Sequence, residues 1–138
     1  MNQELIFWPL IAQVLLTLVL FLWLNVVKAR ARAANEVDLT VTPLDNDAWP
    51  DYARKIANSM RNQFQVPVLF YVLVLSLFVL QGVDVFAMVL ASAFVATRVV
   101  HAYVHTGSNY VPHRTRVFKF GVLCVIGLAA LLVRAVVT

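Results

Sequence analysis

Four apolar runs, three of them about as long as a bilayer is thick and one shorter with a polar lead-in, constrain this chain more than any other feature. The first extends from Leu5 to Val27, 23 residues, or about 34 Å as a helix at the standard rise. After a polar stretch come Val66 to Leu80, then about Val83 to His105, and last about Arg114 to Val137. Hydrophobic residues make up 62% of the 138 positions and charged residues 13%, against about 45–50% and about 25% in soluble domains. Too few polar side chains remain to coat a water-facing surface, which excludes a soluble enzyme.

The sequence therefore predicts one all-α domain over residues 1–138, an integral-membrane four-helix bundle that crosses the bilayer several times. The expected spans are about 5–27, 60–80, 83–105 and 114–137. The start Met-Asn-Gln-Glu lacks a basic region, and Lys28, Arg30 and Arg32 follow the first run, so that run reads as a retained anchor rather than a cleaved signal. Asp47 to Asp51 offers a capping aspartate and an early proline for the second helix, which is expected to run unbroken from its polar start into the apolar part. Gln81-Gly82 and Tyr110-Val-Pro-His113 supply the next two breaks. The lone Cys124 excludes a disulfide framework and a cysteine metal cluster.

Net charge is +4, but the basic residues lie between apolar spans, pointing to lipid headgroups or an anionic small molecule and away from nucleic acid. Ten of the eleven basic residues fall beside the first and third connections. The positive-inside rule makes that side cytoplasmic and leaves both termini and the Gln81-Gly82 turn outside. Arg134 alone opposes the pattern, and near a helix end it can snorkel to the far interface.

Ionisable groups in or beside a span are costly and tend to face a bundle interior, a cavity or headgroups. Arg54, Asn58, Arg61, Asn62 and Gln65 follow helical spacing and form one stripe leading to Pro67. Such a stripe is either a solvated helix face or one wall of a site. Arg98, His101 and His105 form a second stripe, open to two readings: a headgroup boundary or a polar pocket shared with the second helix. A single His-x-x-x-His without nearby carboxylates or cysteines is weak support for a metal, and none is expected. His113, Arg114, Thr115 and Arg116 begin the fourth helix with bidentate donors suited to carboxylates or a thiolate.

The segments RNQFQVPVLFYVL (Arg61 to Leu73) and RVVHAYVHTGSNYVPHRTRVF (Arg98 to Phe118) resemble the MAPEG family, membrane-associated proteins in eicosanoid and glutathione metabolism. The resemblance covers nearly the whole chain. It implies a four-helix bundle, a homotrimer, and glutathione as cosubstrate at subunit interfaces near the cytoplasmic face. The family's Arg-Asn-x-x-Glu-x-x-Pro begins at Arg61 and Asn62, but Gln65 replaces the glutamate and Pro67 comes one residue early. Its Arg-x-x-His matches Arg98 and His101, with His105 where one branch has tyrosine. Its Arg-Ser-x-x-Tyr becomes Arg114, Thr115 and Phe118, and Lys28 stands where an arginine ends the first helix. The resemblance thus implies Arg114 as the catalytic group, favouring the thiolate, with Lys28, Arg61, Asn62, Gln65, Arg98, His101, His105 and Thr115 binding the ligand. Two functions follow: a glutathione-dependent transferase or peroxidase acting on lipophilic electrophiles, or a non-catalytic protein holding lipid or another anion in a cationic inter-subunit pocket. Similarity to bacterial-type members places the chain in a bacterial inner membrane.

Overall fold

The computed structural model describes residues 2–138. A 3₁₀ turn, Gln3–Ile6, leads into helix α1 (Phe7–Ala33). A second 3₁₀ turn, Asn46–Ala48, precedes α2 (Asp51–Asn62), followed by α3 (Val66–Val79), α4 (Val85–Thr106) and α5 (Val111–Val137). Counted with their flanking turns, these make four segments long and apolar enough to span a membrane. Much of the outer surface is apolar, including Trp8, Phe86 and Phe120. Such a surface suits acyl chains, so the bilayer is its environment.

The second span differs from the unbroken helix its sequence predicts. Pro67 has no N–H for the Gln63 carbonyl four residues earlier, and its ring would strike that carbonyl in a continuous helix. The chain responds with tighter turns: Gln63 N–H bonds Met60 O at 2.9 Å and Phe64 N–H bonds Arg61 O at 3.0 Å. Gln65 leaves the helical region altogether, and Pro67 then sits in the first turn of α3, where its missing N–H is harmless. The capping reading also needs correction. Pro50 occupies the N-cap of α2 with no side-chain cap, while Asp47 and Asp51 accept from Arg54 at 2.7 and 3.2 Å.

The core is layered between α3, α4 and α5. Phe70 and Phe94 stack with ring centres 4.5 Å apart, flanked by buried Val74, Leu77, Ala87, Ala91, Val125 and Leu128. Small residues let the helices approach closely, as transmembrane packing requires. A Cβ on Gly121 would lie 2.9 Å from Thr97 Oγ1. A second cluster packs Leu24, Val27 and Ala31 of α1 against Trp49, Ala53, Ile56 and Ala57.

Both chain ends lie with the Gln81–Asp84 turn at one end of the bundle. The Gln3 amide donates to Val83 O at 2.8 Å and accepts from Val83 N–H at 2.9 Å. Asp84 caps α4 through Ala87 N–H at 2.9 Å and also pairs with Arg134 at 2.5 Å, so Arg134 has a partner that the sequence reading did not anticipate. In that turn Gln81, not Gly82, takes the left-handed conformation, with φ of 55°. Gly82 N–H reaches back to Leu77 O at 2.8 Å and Gln81 N–H to Phe78 O at 3.0 Å, the paired bonds of a Schellman stop. Gly82 is needed for a different reason, because a Cβ there would lie 2.8 Å from Ala135 Cβ. At the opposite end, Lys55 Nζ of α2 donates to Gly107 O at 3.2 Å and ties that helix to the short turn between α4 and α5.

Candidate functional site

At the end opposite the termini, α2, α4 and α5 enclose a cavity of about 390 Å³ lined by Asn58, Asn62, His101, His105, Arg114, Thr115 and Phe118. Helical spacing builds each wall. Asn58 and Asn62 are four apart on α2, and His101 and His105 four apart on α4, so each pair shares a face. Pro112 near the start of α5 fixes the entry of that helix, and Arg114, Thr115 and Phe118 follow within its first two turns.

Asn62 Nδ2 donates to the Asn58 carbonyl at 3.2 Å and meets His105 Nδ1 at 3.3 Å. An amide nitrogen has only hydrogens to give, so His105 Nδ1 is the acceptor and the ring proton resides on Nε2. The His101 and His105 rings meet edge to face at 5.5 Å. Arg114 Nη1 donates to Asn109 Oδ1 at 2.6 Å, and Asn109 holds that position with a left-handed φ of 53°, a conformation asparagine tolerates better than most residues.

Arg98 lies one turn before His101. It is 1% exposed, its guanidinium carbon sits 5.9 Å from the Phe118 ring centre, and its Nε and Nη2 have no hydrogen-bond partner. His101 Nδ1 is also buried without a partner. Among the described residues no carboxylate lines the cavity, and a buried guanidinium without a counter-charge is costly. Two guanidiniums beside the histidines also oppose a metal cation. Chemically, such a donor-rich arrangement suits an acceptor-rich anion better than a cation.

Among the residues singled out from sequence, Asn62, His101, His105, Arg114 and Thr115 come together at the cavity, while Arg98 lies behind the lining, 5.9 Å from the ring centre of Phe118. Lys28, Arg61 and Gln65 do not line it within one chain. Lys28 sits over the Trp49 ring at 4.5 Å, and Arg61 and Gln65 are exposed. Sequence reasoning overlooked Asn109, the partner of Arg114, and the buried pair Gln13 and Gln63, joined at 2.9 Å. Gln13, an amide within an apolar run, carried a signal that could have been read.

A multi-pass membrane bundle with a cationic cavity at one end is thus the class that fold and site define. A family model, that of the MAPEG family, matches residues 7–134. The chain belongs to the MAPEG family. No curated protein and no solved structure matches it.

Proposed function

We propose that the cavity binds glutathione and that the protein is a glutathione-dependent transferase or peroxidase acting on lipophilic electrophiles that arrive from the bilayer. The observation that carries this reading is Arg98, buried with two unpartnered guanidinium nitrogens and no counter-charge among the described residues. Arg98 orients the peptide's carboxylates, Asn62, whose Nδ2 hydrogens are committed to Asn58 O and His105 Nδ1, accepts from a peptide N–H through Oδ1, and His101 offers the unpartnered Nδ1 of its buried ring. Glutathione supplies a thiol whose anion is the nucleophile. Arg114, fixed by Asn109, favours that anion by charge attraction. Thr115 adds a hydroxyl beside it.

Assembly as a homotrimer gives the half-buried Lys28 and the exposed Arg61 and Gln65 a route to the same ligand across a subunit interface, and it turns polar helix faces away from lipid. The membrane is a bacterial inner membrane, with the cavity on its cytoplasmic side. A second reading, non-catalytic binding of a lipid or other anion, is favoured by Phe118, which brings a ring but no hydroxyl to the cavity wall.

Calorimetry on the purified protein with millimolar glutathione tests the binding, and thiol transfer to a model electrophile tests the chemistry. Saturable binding with turnover supports the enzyme, and binding without turnover favours the second reading. A flat titration defeats the glutathione reading in favour of the lipid or other anion.

A further inference from the structure

Gln13 lies within the first span and is fully buried, a costly place for an amide. Its Nε2 donates to Gln63 Oε1 at 2.9 Å, joining α1 to the residue at which the second span breaks. Gln63 is 1% exposed. Its own N–H has turned to Met60 O, so the Ser59 carbonyl, which that N–H would serve in a continuous helix, lacks its usual donor. Gln63 Nε2 takes that place, donating to Ser59 O at 3.2 Å. One side chain therefore closes the end of α2 and receives the tie from α1.

The next residue back is Asn62. Its amide is shared between Asn58 O, inside the same last turn, and His105 Nδ1 across the cavity. Rotation of that turn would carry the amide off the imidazole, because the contact is already 3.3 Å long and a hydrogen bond weakens steeply beyond this range. Neither Gln13 nor Gln63 lines the cavity, so any influence of theirs on the ring passes through Asn62.

We propose that Gln13 and Gln63 are positioning residues: their hydrogen bond fixes the last turn of α2 at the Pro67 break, and so holds Asn62 against His105 and selects the Nε2–H tautomer of a ring lining the cavity. The tautomer follows from the hydrogen bonds alone. Its consequence for ligand affinity rests on the glutathione reading.

A glutamine pair that only glues two helices together would affect stability and nothing else, so the test reads the ring directly. The full chain, labelled with ¹⁵N at its histidine rings and held in lipid nanodiscs, gives separate Nδ1 and Nε2 shifts, with His105 assigned by replacing each histidine in turn. The wild type should show His105 as a single Nε2–H tautomer. Gln13→Leu should give a mixture of the two tautomers and weaken glutathione about three- to tenfold, the effect of one lost hydrogen bond. Gln13→Glu, whose carboxyl stays neutral in the span and still donates to Gln63 Oε1, should restore both values. If Gln13→Leu does not assemble, Gln13→Asn, one methylene too short to reach, replaces it.

A mixed tautomer in the wild type overturns the proposal. So does a Gln13 variant that loses thermal stability while its His105 shifts stay at wild-type positions. A flat wild-type titration with glutathione would remove the ligand reading alone, because the ring shifts still decide the latch.

Discussion

Arg98 and Phe118 form a cation–ring contact at 5.9 Å in which the ring is the guanidinium's one identified attractive partner, with Nε and Nη2 left unpaired. The family pattern has a tyrosine where Phe118 stands, so the position keeps an aromatic face and loses a hydroxyl. Cation–ring attraction is worth about 0.5–2 kcal/mol, while burying an unpaired charge costs several kcal/mol. The arginine is therefore held at a net cost to the fold, which an anion bound as proposed would offset.

Arg98→Met should separate those two effects. The variant fills similar volume without charge, so its thermal midpoint should stay level or rise, while glutathione affinity falls more than about tenfold from the lost charge-assisted bonds. Thermal unfolding and calorimetry on the same preparation check it. A lower midpoint with unchanged affinity would make Arg98 a packing residue.

Arg114→Ala should leave the bundle folded and lower turnover, because removing a neighbouring cation raises the pKa of the bound thiol by about one unit or more. Ultraviolet difference spectra across a pH series read the thiolate directly. Asn109→Ala, which releases Arg114 Nη1, should give a smaller change in the same direction. Turnover that falls with no movement of the thiolate curve would recast Arg114 as a ligand clamp.

Fold class was legible in the sequence because transmembrane spans are coded by length and apolarity, features read without knowing any contact. The break in the second span was only half legible. Pro67 was visible, but a proline near a helix start and one inside a helix look alike until the neighbouring turns are seen. The site was legible where polar residues share a helix face, as for His101 with His105. It was not legible where partners come from separate segments, as for Arg114 with Asn109 or Gln13 with Gln63. Stripe logic did not show that Arg61 and Gln65 stand outside the cavity within one chain. Arg61 lies about 100° around the helix from Asn62, and the tightened turns after Gln63 end the periodicity that would have carried the stripe to Gln65.

The orientation prediction rests on the ends of the bundle. Gln3 with Val83 and Arg134 with Asp84 place both termini and the second turn together, while ten of the eleven basic residues belong to the other end or the helices entering it. Reporters fused after Thr138 should be active outside the cytoplasm, and reporters inserted near Asn46 or Asn109 inside. Reversed labelling would move the cavity away from cytoplasmic glutathione.

The outer end also sets a pH dependence. Arg134's hydrogen bond to Asp84, followed by the Ala87 N–H, holds the Asp84 carboxyl below the usual aspartate range. A carboxyl lowered in the folded state stabilises fully above its unfolded value, near pH 4, and that contribution disappears as pH falls through the lower folded value. Thermal stability in detergent should therefore drop on acidification below about pH 4. In Asp84→Asn, which keeps an N-cap acceptor but no charge, the part of that drop due to this group should vanish. Asp84→Ala should cost about 1 kcal/mol more than Asn at neutral pH, the worth of an N-cap. Melting curves of the three proteins between pH 3 and 7 make the comparison, and an acid-side slope identical in wild type and Asp84→Asn would show that the pair with Arg134 does not contribute to the fold.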